Sequence, residues 1–150
     1  MTTQPELYVF NWHAILLGGF TLLICLSVHA CFVTLVMVLA KSRIIRLVRQ
    51  KSFRRAHAVF YLGILMLLAS HLLQIYIWGM SLKWSGIMPN GHMAVMLAGS
   101  SYTTVGFISD ALPVEWQLLI VIMATSGVFA FGWSTSIMFS LSRFVYPMTD

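Results

Sequence analysis

Charge is what this sequence has least of: 9% of its 150 residues are ionised side chains, and only four residues are acidic. A water-exposed globule of this size would carry far more ionised surface, so that class is excluded and an integral membrane protein remains. Cysteine is equally scarce. Cys25 and Cys31 are the only two, and on one helix they are separated by about 9 Å of rise and point to different sides, which excludes a bridge between them. They read as small apolar packing residues. The sequence also lacks a hydrolytic triad, metal-ligand spacing, a phosphate loop and a nucleotide motif, so nothing in it points to an enzyme. No repeat, low-complexity tract or second domain is visible. A cleavable signal peptide is not expected, because Glu6 stands where a basic n-region belongs and the following apolar run is longer than an h-region.

What the chain has in abundance is apolar length. Hydrophobic residues make up 59% of it, and its mean hydropathy is +0.88. Three segments, 12–40, 57–80 and 115–141, each reach the roughly 20 residues that a helix needs to cross a bilayer. The net charge of +5 is explained by topology. Lys41, Arg43, Arg46, Arg49, Lys51, Arg54 and Arg55 all fall between the first two segments, which places that loop in the cytoplasm and in contact with anionic lipid headgroups. No nucleic-acid partner is implied. The N-terminus and residues 81–114 are then expected outside, and the C-terminus inside with Arg143. The basic stretch alternates charged and apolar residues, suiting a helix that extends the first span or lies at the inner interface. A natural division falls at residues 1–56 and 57–150.

Between the second and third spans the texture changes. Pro89-Asn90-Gly91 makes a turn, and Asn90 can cap a helix over 91–101 that is too short to span. Such a segment either lies on the membrane surface through Met93, Val95, Met96, Leu97 and Ala98, or enters the membrane and returns. The second course is tolerable only where protein or a water-filled pore surrounds the irregular backbone that follows. That backbone begins Ser101-Tyr102-Thr103-Thr104-Val105-Gly106-Phe107-Ile108-Ser109-Asp110.

The Thr-Val-Gly-aromatic run, set between a short capped helix and a long span, resembles the selectivity filter of the potassium-channel superfamily. The whole chain is similar to small bacterial two-transmembrane pore proteins with an added N-terminal helix. His71-Leu72-Leu73-Gln74-Ile75-Tyr76-Ile77-Trp78 stands for their outer helix and Phe131-Gly132-Trp133-Ser134-Thr135 for their inner one. The resemblance implies an all-α integral membrane fold of three transmembrane helices plus a re-entrant pore helix and filter-like loop, in the inner membrane. It implies a homotetramer passing potassium or another monovalent cation, with no further cofactor or metal. Carbonyls of Thr104, Val105, Gly106 and Phe107 would replace the ion's hydration shell. Two residues alter that filter. Ile108 occupies a position where glycine is usual, and a β-branched residue at positive φ costs about 1–3 kcal/mol; Ser109 is an insertion that lets Asp110 regain its external position. Asp110 and Glu115 would concentrate cations at the outer mouth. The resemblance also has an acidic residue where Gln74 stands. A non-conducting, channel-derived accessory subunit of another membrane complex is the alternative.

Two histidines lie inside spans, where ionisable groups are costly. His29 and His71 could be hydrogen-bonded packing residues, relay protons or ligate haem between helices. Counted from the outer ends of the apolar runs they lie roughly 20 Å and roughly 14 Å deep, which does not bring them to one plane. His71, Gln74 and Trp78 share a helical face and suggest a polar seam behind the filter. In the third span Gly127 and Gly132 permit a bend or close packing, and several Ser and Thr hydroxyls serve helix contacts or a cavity.

Overall fold

The computed structural model describes residues 11–108 and 111–146, so the expectations for Ser109 and Asp110 lie outside the described residues. Within them the chain is all-helical, with no strand. The order is α1 (Trp12–Arg49), α2 (Phe53–Trp84), α3 (Gly91–Tyr102) and α4 (Leu118–Val145), with a 3-10 turn at Val114–Trp116 leading into α4. Three of these, α1, α2 and the turn with α4, are long and apolar enough to cross a membrane.

Local chemistry sets the boundaries. The Asn11 side chain accepts from the backbone N–H groups of His13 and Ala14 and so supplies the first partners of α1. Its amide also donates to the Glu115 carbonyl at 3.1 Å, tying the start of α1 to the turn before α4. The basic stretch continues α1 without a break, so the helix has 38 residues and a length of about 57 Å, well beyond the roughly 30 Å hydrocarbon thickness. A connection of three residues, 50–52, with Lys51 at φ 56°, reverses the chain into α2. At the other end of α2, Gly86 takes φ 76° and the Met88 N–H returns to the Leu82 carbonyl. Only glycine adopts that left-handed conformation without penalty. The predicted cap of the short helix is present: Asn90 accepts from His92 and Met93.

The three long helices form one bundle, with α2 antiparallel to α1 and α4. Contacts along the α1–α2 seam run in steady register from Thr21–Ser81 through His29–Ser70 to Gly63 against Val36. On the α1–α4 side, Gly18 meets Leu119 and Ile122 near one end and Lys41 lies over Phe144 near the other. Small residues at Ala14, Gly18, Thr21 and Cys25 line the buried face of α1 and let its neighbours approach closely. All of the nine Lys and Arg except Lys83 gather at the end of the bundle that holds the α1–α2 connection.

The core is largely apolar, but the surface is not that of a water-soluble protein. Leu16, Phe20, Leu23, Leu65, Leu72 and Phe139 are all more than half exposed, while His29, Ser70, Gln74 and Ser126 are fully buried. Apolar side chains outside and hydrogen-bonded polar ones inside are what a hydrocarbon solvent selects.

The short helix α3 is not laid on the outside of this bundle. It packs against α2 and α4, with Ala94, Leu97, Ala98 and Ser100 to Tyr102 buried. Gly79 makes the approach of α2 feasible, because a Cβ there would lie 2.8 Å from the Val95 Cα. Gly127 does the same on α4, where a Cβ would fall on the Tyr102 carbonyl oxygen. Thus α3 starts level with Lys83 near the end of α2 and finishes beside His71 and Gly127, far along both long helices.

Candidate functional site

Two arrangements meet at the C-terminal end of α3: the exposed loop of residues 103–107 in front of it and a buried polar network behind it. The loop is anchored at its root. Thr103 N–H bonds to the Gly99 carbonyl, Thr104 N–H to Ser101 and Gly106 N–H to Ser100, so the last carbonyls of α3 are partly satisfied by the loop itself. Thr104 and Gly106 take positive φ, 62° and 70°. Ile108 does not; it is half-buried and packs against the main core. The strained β-branched residue is therefore Thr104, whose hydroxyl donates to the Thr103 carbonyl at 2.6 Å. That conformation costs about 1–3 kcal/mol, a penalty the surrounding structure must offset. Beyond its root the loop lacks cover, with Val105 68% and Phe107 63% exposed. Glu115 is also exposed, in the turn before α4.

Behind the loop, Tyr102 begins a chain of side-chain hydrogen bonds through all four helices. Its hydroxyl is 2.9 Å from His71 Nδ1. His71 Nε2 is 3.0 Å from Ser134 Oγ, and the same oxygen is 3.3 Å from His29 Nε2. His29 Nδ1 is 3.0 Å from Ser70 Oγ and 3.1 Å from the Gln74 amide nitrogen. All six residues are buried, and each of the four imidazole nitrogens has a partner. With the Gln74 amide nitrogen facing it, His29 Nδ1 accepts, and one direction of donation is self-consistent: the Gln74 amide donates to His29, which donates through Ser134 to His71 and on to Tyr102. The reverse direction, from the Tyr102 hydroxyl to Ser70, sets His29 Nδ1–H against the Gln74 N–H and requires that amide to turn over and present Oε1. Both ends stop at buried groups, and the network ties all four helices together.

Aromatic rings wall it in. His71 stacks on Phe131 with centroids 4.3 Å apart and an interplanar angle of 22°, and His29 meets the edge of Trp133 at 5.5 Å. The two imidazole centroids are 5.2 Å apart. The depth difference read from the apolar runs is thus overturned, because those runs do not begin level in the bundle. With Ser134 bridging the facing nitrogens, a macrocycle does not fit between the rings, and the haem reading loses its geometry.

The predicted seam of His71, Gln74 and Trp78 is buried as one face, and it faces more than α3. Gln74 turns to α1, while the Trp78 indole donates to Ser126 of α4 at 3.0 Å. Gln74 Oε1 and Ser100 Oγ are buried atoms with no hydrogen-bond partner among the described residues. Of the two glycines in α4, Gly127 provides the seat for Tyr102, whereas a Cβ at Gly132 would meet no heavy atom within 4 Å. The helix passes through both without interruption. Tyr102, Ser70 and Ser126 carry no motif of their own in the sequence; the signal available is their helical phase relative to His71 and Trp78.

No family model, curated protein or solved structure matches the chain.

Proposed function

We propose that this chain is a subunit of a homotetrameric, potassium-channel-like pore for monovalent cations, oriented with the basic α1–α2 connection in the cytoplasm. The observation that carries the reading is the placement of α3. If α2 and α4 span the bilayer, α3 descends from the outer side and releases residues 103–107 at depth, beside His71 and Gly127. Uncovered loop backbone at that depth is tolerable only against protein or a water-filled pore. One chain leaves this loop exposed, so copies of the same chain around an axis are the economical cover. An exposed stripe of α4 supports self-association as well. Leu118, Val121, Thr125, Val128, Gly132 and Thr135 follow a three-four spacing on one face, the seam that packed helices use.

In this reading the four loops present rings of carbonyls to a dehydrating ion, with Thr104 to Phe107 as ligands. Ile108, packed on the core, holds the outer end of the loop away from the usual glycine conformation. The filter is accordingly short, and selectivity for potassium over sodium is weak. Glu115 adds negative potential at the outer mouth.

A second reading, a non-conducting accessory subunit, is favoured by one observation: the Thr104 hydroxyl and the Gly106 N–H are spent on the loop and on α3. Purified protein reconstituted in liposomes separates the two. Potassium flux blocked by barium, from a particle of four chains by native mass spectrometry, supports the pore. A well-folded tetramer without flux supports the accessory role, and a monomer sinks both the pore and the fourfold assembly.

A further inference from the structure

The strongest unassigned feature lies at the basic end of the bundle, in the groove between α1 and α2. Val36, Leu39 and Ala40 form one wall, and Val59, Leu62 and Met66 the other, with Gly63 at the floor and Arg43 at the mouth. The groove exists because Gly63 has no side chain: a Cβ there would lie 3.3 Å from Val36 Cγ1. Its lining residues on α1 run from Val36 to Arg43, about 10 Å, and the space between them is about 50 Å³, a shallow slot against which part of an acyl chain can lie. Its apolar part is continuous, and its charge is confined to one end.

Charge identifies the occupant. Arg46 stands one turn beyond Arg43 on α1, and Arg55 one turn before Val59 on α2; all three are exposed. Among the described residues no carboxylate shares this end of the bundle, the one described acid being Glu115 at the other end. Lys41 and Arg143 are directed at aromatic rings, Phe144 and Phe139. Arg43, Arg46 and Arg55 therefore form a cationic rim above an apolar slot, which is complementary to a phosphodiester on a hydrocarbon chain.

We infer that this groove is a binding site for one anionic phospholipid of the adjoining leaflet, its acyl chain lying over Gly63 and its phosphate held by Arg43. The site involves α1 and α2 alone and does not depend on whether the chain conducts. It differs from diffuse attraction to a charged surface in requiring one particular cation and one particular glycine.

Native mass spectrometry of the purified full chain, titrated with phosphatidylglycerol or phosphatidylcholine, tests it. One phosphatidylglycerol per chain is expected to be retained at least about tenfold more strongly than phosphatidylcholine. Arg43→Gln is expected to lower that retention about tenfold, the scale of a lost charge-assisted contact, and Arg54→Gln less than about threefold. Gly63→Leu, which fills the slot and keeps every charge, is expected to reduce retention of both lipids. Equal retention of the two headgroups overturns the inference, as does an Arg54→Gln loss as large as that of Arg43→Gln. Arg43 is exposed, so its substitution keeps the test decisive if Gly63→Leu fails to fold.

Discussion

Replacing Gly127 with alanine tests how α3 is seated in the bundle. The new Cβ would fall on the Tyr102 carbonyl oxygen, with the carbonyl carbon 2.8 Å away and the ring Cγ 3.1 Å away. Two effects compete. Alanine favours the helix over glycine by about 0.8–1.0 kcal/mol, which stabilises α4. Against it stands overpacking, ordinarily about 1–3 kcal/mol, and here the obstacle is backbone and cannot rotate aside. Relief requires the end of α3 to withdraw, which lengthens the Tyr102–His71 hydrogen bond and forfeits roughly 1 kcal/mol more. The net expectation is a loss of roughly 1–3 kcal/mol. Gly132→Ala is the matched control, because nothing lies within 4 Å of its Cβ position; only the propensity gain of up to about 1 kcal/mol remains. Thermal unfolding of the purified variants in one detergent reads the difference, at about 2–4 °C per kcal/mol for a chain of this length. Gly127→Ala should melt several degrees below the parent and Gly132→Ala at or slightly above it. Equal melting of the two variants would refute the close approach of α3 to α4.

Ser134→Ala removes the hydroxyl between the two histidines and leaves both Nε2 atoms unpaired. A loss of about 1–3 kcal/mol is expected, and a double-mutant cycle with His29→Ala should depart from additivity; additive losses would count against a continuous network. Asn90→Ala deletes the cap of α3 and should cost about 0.5–2 kcal/mol, with amide exchange rising first at Met93. Unchanged exchange there would remove the cap from the account.

What sequence conveyed depended on whether a local signal existed. The Asn90 cap and the short helix after it are legible because capping is read from adjacent residues, and the structure places that helix at Gly91–Tyr102. Three spans are legible from apolar length alone. The end of α1 is legible only in part: the alternation from Lys41 to Arg49 allows a helix that extends the span or one that lies at the interface, and the backbone takes the first course. The meeting of His29 with His71 is hidden for a different reason. Helix offset is set by contacts such as Gly18 on Leu119 and Gly63 on Val36, and such pairings leave no trace in either segment alone. The cost of positive φ at a β-branched residue argues against the usual filter shape at Ile108, and Ile108 indeed stays out of that region; the strain at Thr104 is not legible, because it arises where the loop turns back on α3.

The position of His29 also orders the events by which the chain enters a membrane. When α1 is inserted alone, its imidazole has no partner in hydrocarbon. Arrival of α2 supplies Ser70 and Gln74 at one ring nitrogen, so the first hairpin already quiets half of that polar group. The other nitrogen waits for Ser134 on α4. A chain truncated before α4 would therefore leave one nitrogen of this buried imidazole without its partner, so the α1–α2 hairpin alone does not complete the polar network.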